Sequence, residues 1–259
     1  MISALPEVLN VIFLPFFGTV TGAACVFFMK KAPGQILQKA LNGFAAGVMI
    51  AASVWSLLLP AIEQTASWEK LSFIPAVAGF WIGILFLLFF DRAISRLFRE
   101  DQHRTDTKKN MILFTAVTLH NFPEGIAVGI VLAAWLAGNK AISIAEVLAV
   151  SIGIAIQNFP EGAIISMPFM GEGKKKRSAF LYGMLSGVVE PVAAFITLLI
   201  SALLTALLPY LLSFAAGAMM YVVANELIPE MQEKKRSYVG IMLFTFGFTL
   251  MMALDVALG

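Results

Sequence analysis

Runs of about 18 or more apolar residues recur from one end of this 259-residue chain to the other, and each is long enough as a helix to cross roughly 30 Å of hydrocarbon. That recurrence decides the class of fold, because a soluble core has no use for so much apolar surface. The chain is 59% hydrophobic and 13% charged, with a mean hydropathy of +0.87, against about 25% charged residues in soluble domains. Folded soluble proteins need polar cover that this chain cannot supply. The expected fold is an all-α integral membrane protein.

Apolar runs bounded by charge, proline and glycine predict eight spans, at 7–29, 36–60, 73–95, 111–136, 145–169, 179–206, 210–230 and 238–258. The sixth and seventh must be separate. From Ala179 to Ile228 one helix would extend about 75 Å, so the chain turns near Leu208–Pro209. The expectation is a single transmembrane domain over 1–259, since no connection is long enough for a second. An even number of spans puts both termini on one side. Sixteen of the 18 basic residues fall in the connections after spans 1, 3, 5 and 7, including Lys174–Arg177 and Lys234–Arg236. Such a bias marks the cytoplasmic face, so both termini are expected outside the cytoplasm, in a multi-pass protein of the cell membrane. The first span has no basic residue before it and is too long for a signal peptide. The single cysteine, Cys25, excludes an internal disulfide and a cysteine-built zinc cluster.

Ionisable and amide residues deep within spans are costly and mark function by default. Span 4 reads His120-Asn121-Phe122-Pro123-Glu124-Gly125, and span 5 reads Gln157-Asn158-Phe159-Pro160-Glu161-Gly162. Five consecutive positions are identical at an offset of 37 residues, which is an internal repeat. Counted at 1.5 Å per residue, both motifs lie near the midplane. The two helices run in opposite directions, so matching motifs imply a pseudo-two-fold axis in the membrane plane. Residues four apart share a helix face, which pairs His120 with Glu124 and Gln157 with Glu161, while Asn121 and Asn158 stand one step round. Pro123 and Pro160 free the carbonyls of Leu119 and Ile156. One imidazole, two carboxylates and three amide oxygens are donors for a dehydrated divalent cation; interhelical glue by the amides is the plainer alternative.

The HNFPEG and QNFPEG pair resembles the fourth and fifth helices of ZIP (Zrt/Irt-like) transporters, especially the GufA-like branch. The resemblance runs through the chain: Gly47–Ser53 in span 2, Gly187-Val188-Val189-Glu190-Pro191 in span 6 and Ala224–Glu230 in span 7 match patterns of that branch. It implies eight spans grouped three, two and three in an inverted repeat, a homodimer, and one helix bundle sliding against a dimerising one. It also implies two adjoining metal sites. One comprises His120, Glu124, Gln157 and Glu161 with Met49 beside them. The other comprises Asn121, Glu124, Asn158, Glu161 and Glu190. Asn158 and Gln157 stand where relatives carry aspartate and histidine, so a second cation is expected to bind more weakly here.

Glu190 also stands out without the resemblance, lying about 11 residues into span 6 before a proline, with no lysine or arginine at that depth. Met49 would ordinarily be packing. Asp91, Asn225, Glu226 and Asp255, near span ends, are candidates for a transport path, since acidic vestibules attract cations; Glu230 reads as a solvated helix end. His103 lies in a connection and is a possible metal sensor. Gly125 with Gly129 and Gly183 with Gly187 permit close helix packing. The expected function is transport of divalent transition metals into the cytoplasm, zinc first and then cadmium, iron or manganese, with the metal as cargo and no cofactor. The rivals are a proton- or alkali-ion transporter or channel using the same glutamates, and an intramembrane hydrolase. An enzyme is not expected: His120 is the one histidine in a span, there is no HExxH, and Ser151, Ser166 and Ser186 have no histidine partner in the sequence pattern. No nucleic-acid partner is expected.

Overall fold

Eight helices among the described residues are long and apolar enough to cross a membrane. They are α1 (Leu5–Phe28), α2 (Gln35–Glu63), α3 (Phe73–Leu97), α4 (Asp106–Leu136), α5 (Ile144–Gly171), α6 (Lys176–Ile200), α7 (Leu208–Gln232) and α8 (Tyr238–Leu258). The structure, a computed structural model, describes residues 5–29, 34–97, 106–139, 142–171, 174–201, 207–232 and 238–258, and among these no strand occurs. Each helix falls on one of the eight apolar runs. Pro209 sits in the first turn of α7, where its missing N–H is not needed. His103 and most of the basic connections, including Lys30, Lys31 and Lys234–Arg236, lie outside the described residues.

Local chemistry sets the helix ends. Ser143 and Glu146 start α5 as a reciprocal capping box: the Glu146 N–H donates to Ser143 Oγ at 3.1 Å, and the Ser143 N–H donates to the Glu146 carboxylate. At the end of α4, Gly138 takes φ +74° and the Asn139 N–H donates back to the Ala134 carbonyl at 3.0 Å. That is a Schellman ending, which favours glycine at this conformation.

Prolines shape the helix interiors. Pro15 of α1 cannot donate to the Val11 carbonyl, and buried Ser151 of α5 supplies the missing hydrogen bond at 2.7 Å. Pro191 cannot donate to Gly187, and α6 breaks at Val188 into Lys176–Gly187 and Val189–Ser201. In α2 and α7 the residue preceding a proline donates to the carbonyl five back, Leu59 to Val54 and Ile228 to Val223. The results are two π-helical turns, Ser53–Leu58 and Val223–Leu227. Such turns take in an extra residue and recur at functional sites.

The helices pack most extensively as the pairs α2–α8, α1–α5, α3–α7 and α4–α6. In each pair a glycine (Gly47, Gly22, Gly83 or Gly125) faces a backbone carbonyl of its partner with no room for a Cβ. Two bundles result, α1/α4/α5/α6 and α2/α3/α7/α8, meeting along α2–α5, α4–α7 and α5–α8. At that meeting the glycine contact is of another kind: Gly153 of α5 faces the flexible end of Met251 of α8 rather than backbone. The main apolar core, with Val128, Leu132, Val150, Ile154, Met219 and Met251, fills the space between them. Lipid-facing character is plain on α3 and α8, where only 28% and 11% of the apolar stretch is buried.

Candidate metal centre

The two matching motifs meet where α4 and α5 pass each other inside one bundle. Each motif's proline lies in an unbroken helix, and the polar residues of the motifs are buried while Phe159 faces out at 41% exposure. Asn121, Glu124, Gln157 and Asn158 are completely buried, Glu190 is 1% exposed and Glu161 6% exposed. Gln157 Nε2 donates to Glu124 Oε1 at 2.6 Å. Asn121 Nδ2 donates to Glu190 Oε1 at 3.0 Å and to the Ser186 carbonyl at 3.2 Å. Asn158 Nδ2 donates to the Pro15 carbonyl at 3.4 Å. Glu161 and Glu190 both lie within electrostatic reach of Glu124.

These bonds have one effect in common. Each amide turns its nitrogen to a carboxylate or carbonyl, which can only accept, and its oxygen is left over. Among the described residues, Asn121 Oδ1, Gln157 Oε1 and Asn158 Oδ1 have no partner, and neither have Glu124 Oε2, Glu161 Oε2 and Glu190 Oε2. Six buried oxygens on six residues are unsatisfied, an arrangement that costs a protein roughly 1–3 kcal/mol for each group left alone. Hard and borderline cations are bound by such oxygens.

His120 belongs to α4 one turn before Glu124, but its side chain lies outside the described residues. Among those residues no group of three His, Cys, Asp or Glu stands ready to hold a metal. A cation held by the described residues would have to use amide oxygens beside the carboxylates. Met49 is wholly buried in the apolar core, and its carbonyl accepts from the Ser53 hydroxyl at 2.8 Å.

Two cavities flank the motifs. One, about 30 Å³, is lined by Asn42, Glu161, Glu226 and Glu230 at the end of the molecule where α2 begins and α7 finishes. It has room for one or two waters. The other, about 190 Å³, opens at the opposite end and is lined by Ser56, Glu63, Val131, Glu146, Val150 and Asp255. Val131 and Val150 stand seven residues from Glu124 and Gln157, about 10 Å along their helices, and the buried Val128 and Ile154 lie between. The oxygens thus adjoin the smaller cavity through Glu161 and are sealed from the larger one by aliphatic side chains.

The four path candidates separate. Glu226 lies on the π-turn of α7 and lines the smaller cavity. Asn225 beside it is exposed. Asp255 accepts from Ser56, on the π-turn of α2, at 2.5 Å and lines the larger cavity. Asp91 accepts from Tyr221 at 2.9 Å, joining α3 to α7. Glu230 is exposed as expected of a helix end, yet it also accepts from Asn42 at 2.7 Å and borders the smaller cavity. Sequence reasoning missed Asn42, an amide in an apolar run and so a findable signal, and Thr19, whose hydroxyl donates to Glu190 Oε1 at 2.9 Å.

Comparison with known proteins bears on what such an arrangement serves. The family model described as ZIP Zinc transporter matches residues 100–255. The chain belongs to the ZIP family. Among its relatives, the zinc transporter ZIP11 of Xenopus tropicalis is 33% identical over 93% of this chain and 94% of its own length. The zinc transporter GufA of Myxococcus xanthus is 32% identical over 93% of this chain and 96% of its own. The zinc transporter ZIPB of Bordetella bronchiseptica is 32% identical over 94% of this chain and 79% of its own. These ZIP relatives are named as transporters and not as enzymes, and eight apolar helices make this member a multi-pass membrane protein. The serines weighed as nucleophiles are structural: Ser151, Ser166 and Ser186 are fully buried, and each hydroxyl donates to a backbone carbonyl.

Proposed function

We propose that this chain transports divalent transition-metal cations, zinc foremost, across the membrane and into the cytoplasm through the ligands carried by α4, α5 and α6. The observation that carries the reading is the set of six buried oxygens on Asn121, Glu124, Gln157, Asn158, Glu161 and Glu190 that have no partner among the described residues. Three carboxylates without a basic partner among their described hydrogen bonds ask for a cation or for protons. His120 with amide oxygens suits zinc, cadmium, iron or manganese, whereas an alkali-ion site would be all oxygen. Membership of a family whose members are named zinc transporters supports the same cargo. By the family resemblance, Asn158 stands where some relatives carry aspartate and Gln157 where many carry histidine, so a second cation binds more weakly than the first.

The route follows from the two cavities. With the basic connections in the cytoplasm and both termini outside, the smaller cavity is the cytoplasmic exit, walled by Glu161, Glu226 and Glu230, and the larger is the outer vestibule. Cargo taken from outside meets the core that Val128, Val131, Val150 and Ile154 share with Met219 and Met251 of the other bundle, and movement of one bundle against the other would part it. Most glycine contacts within each bundle are to backbone, though Gly187 and Gly240 face side chains, and between the bundles Gly153 faces the Met251 side chain; that difference favours bundles that slide as bodies. The two π-turns, on helices of opposite direction, support an inverted repeat of three, two and three spans. The exposed faces of α3 and α8 are free for a second copy, in keeping with a homodimer in the cell membrane.

Uptake of zinc and cadmium into proteoliposomes tests the reading, with the native chain beside Glu124→Ala and His120→Ala. Native uptake is expected to be saturable, abolished in Glu124→Ala, strongly altered in His120→Ala, and weaker in acid as protons compete for the same oxygens. No native uptake, or uptake unchanged in both variants, would sink the reading and bring proton or alkali-ion transport forward.

A further inference from the structure

Thr19 of α1 departs from what threonines do in apolar helices. A threonine hydroxyl in a helix ordinarily donates to a carbonyl three or four residues back. Thr21 does so, donating to Phe17 and Gly18 at 2.8 and 2.9 Å. Thr19, two residues earlier, is completely buried and instead sends its hydroxyl across to α6, to Glu190 Oε1 at 2.9 Å.

Two glycines make that reach possible. A Cβ at Gly187 of α6 would stand 2.8 Å from Thr19 Cβ and 2.9 Å from both Thr19 Cγ2 and Oγ1. A Cβ at Gly162 of α5 would collide with the Thr19 carbonyl. Thr19 is therefore wedged between the glycine that closes the second motif and the glycine that precedes the Glu190 segment. On Glu190, Oε1 takes donors from both Thr19 and Asn121, while Oε2 is buried and takes none among the described residues. Turning the carboxyl group out of this plane would break both bonds, and a half-turn, which exchanges two equivalent oxygens, would restore the same arrangement.

We propose that Thr19 is a positioning residue for the transported cation: its hydroxyl fixes the Glu190 carboxyl group so that Oε2 alone is presented to the metal. The inference rests on the metal-transport reading of Glu190. Without the hydroxyl, one donor remains on Oε1, the carboxyl group gains freedom, and cation affinity falls while the pathway and its movement stay intact. The effect belongs in KM, since Thr19 touches no cargo and lines no barrier.

The test is zinc and cadmium uptake by Thr19→Val, Thr19→Ser and Thr19→Ala in proteoliposomes, each in the native and the Glu190→Gln background, with elution profile and thermal unfolding recorded for all. Loss of one hydrogen bond to a charged group is worth about a tenfold change. Thr19→Val is expected to raise KM about tenfold with maximal rate held within about twofold, and Thr19→Ser to keep KM within about twofold of native. In Glu190→Gln, Thr19→Val is expected to add nothing to KM. If valine overfills the notch and the protein does not fold, Thr19→Ala gives the same readings. An unchanged KM, a serine variant as impaired as valine, or a full Thr19 effect in Glu190→Gln would overturn the proposal. Those results with Glu124→Ala still inactive would remove Thr19 alone. Absent native uptake, or native-like uptake by Glu124→Ala, would remove the metal reading and Thr19 with it.

Discussion

At the scale of single residues, most polar side chains in the spans are committed to backbone and few are left for cargo. Ser151 shows the first use. It exists in α5 because Pro15 in α1 leaves the Val11 carbonyl without a donor, and a bare carbonyl at this depth costs about 1–3 kcal/mol. Ser151→Ala is accordingly expected to lower stability in detergent by about that amount while leaving the zinc KM within about twofold, measured by thermal unfolding beside uptake. Loss of uptake at native stability would show instead that the hydroxyl serves transport. The buried set proposed for cargo stands out in the sequence: Asn121, Glu124, Gln157, Asn158, Glu161 and Glu190 are amides and carboxylates inside apolar helices, five of them in two matching motifs and Glu190 before a proline of α6. Thr19 was not legible, for a physical reason. A threonine satisfies itself within its own helix at little cost, so its presence in a span signals nothing until the neighbouring helix is seen.

At the scale of helices, length and charge sufficed to delimit the spans, since hydrocarbon thickness and flanking lysines leave little freedom. The π-turns were hidden, because Pro60 and Pro229 near the ends of α2 and α7 read as simple terminators. Instead each proline follows a widened turn that sets Ser56 towards one cavity and Glu226 towards the other. Glycines likewise read alike in sequence and differ in what they face. Gly22 faces the Phe159 backbone and Gly153 the end of a methionine side chain, which can yield. Gly22→Ala is expected to destabilise the protein by more than about 2 kcal/mol, in the range of overpacked cores. Gly153→Ala should cost less than about 1 kcal/mol yet change the maximal rate of uptake, and Met251→Ala in the same chain should restore it. Thermal unfolding with uptake kinetics checks both, and equal destabilisation by the two alanines would deny any difference between contacts within and between bundles.

At the scale of the whole molecule, the question is whether the two bundles move as bodies. The oxygens adjoin one cavity and are separated from the other by about 10 Å of aliphatic packing, so a cation cannot cross while every helix keeps its present neighbours. Local fluctuation of the barrier is an unsatisfying route, because Val128, Val131, Val150 and Ile154 are nearly fully buried and packed into the main core. Sliding of α1/α4/α5/α6 along α2/α3/α7/α8 would carry the oxygens and these four side chains together, away from Met219 and Met251 of the other bundle, with which they share the core. Gly153 and Met251 stand on opposite sides of the sliding surface and in contact. In a chain with Cys25 replaced by alanine, Gly153→Cys with Met251→Cys joined by a short thiol-to-thiol reagent should therefore abolish uptake, and reducing cleavage of the link should restore it. A pair within one bundle, Phe27→Cys with Phe180→Cys, is expected to tolerate the same link, since the two rings pack 5.2 Å apart on α1 and α6 and travel together. Continued uptake with the cross-bundle link complete would mean that the bundles keep their register and that the barrier opens from within.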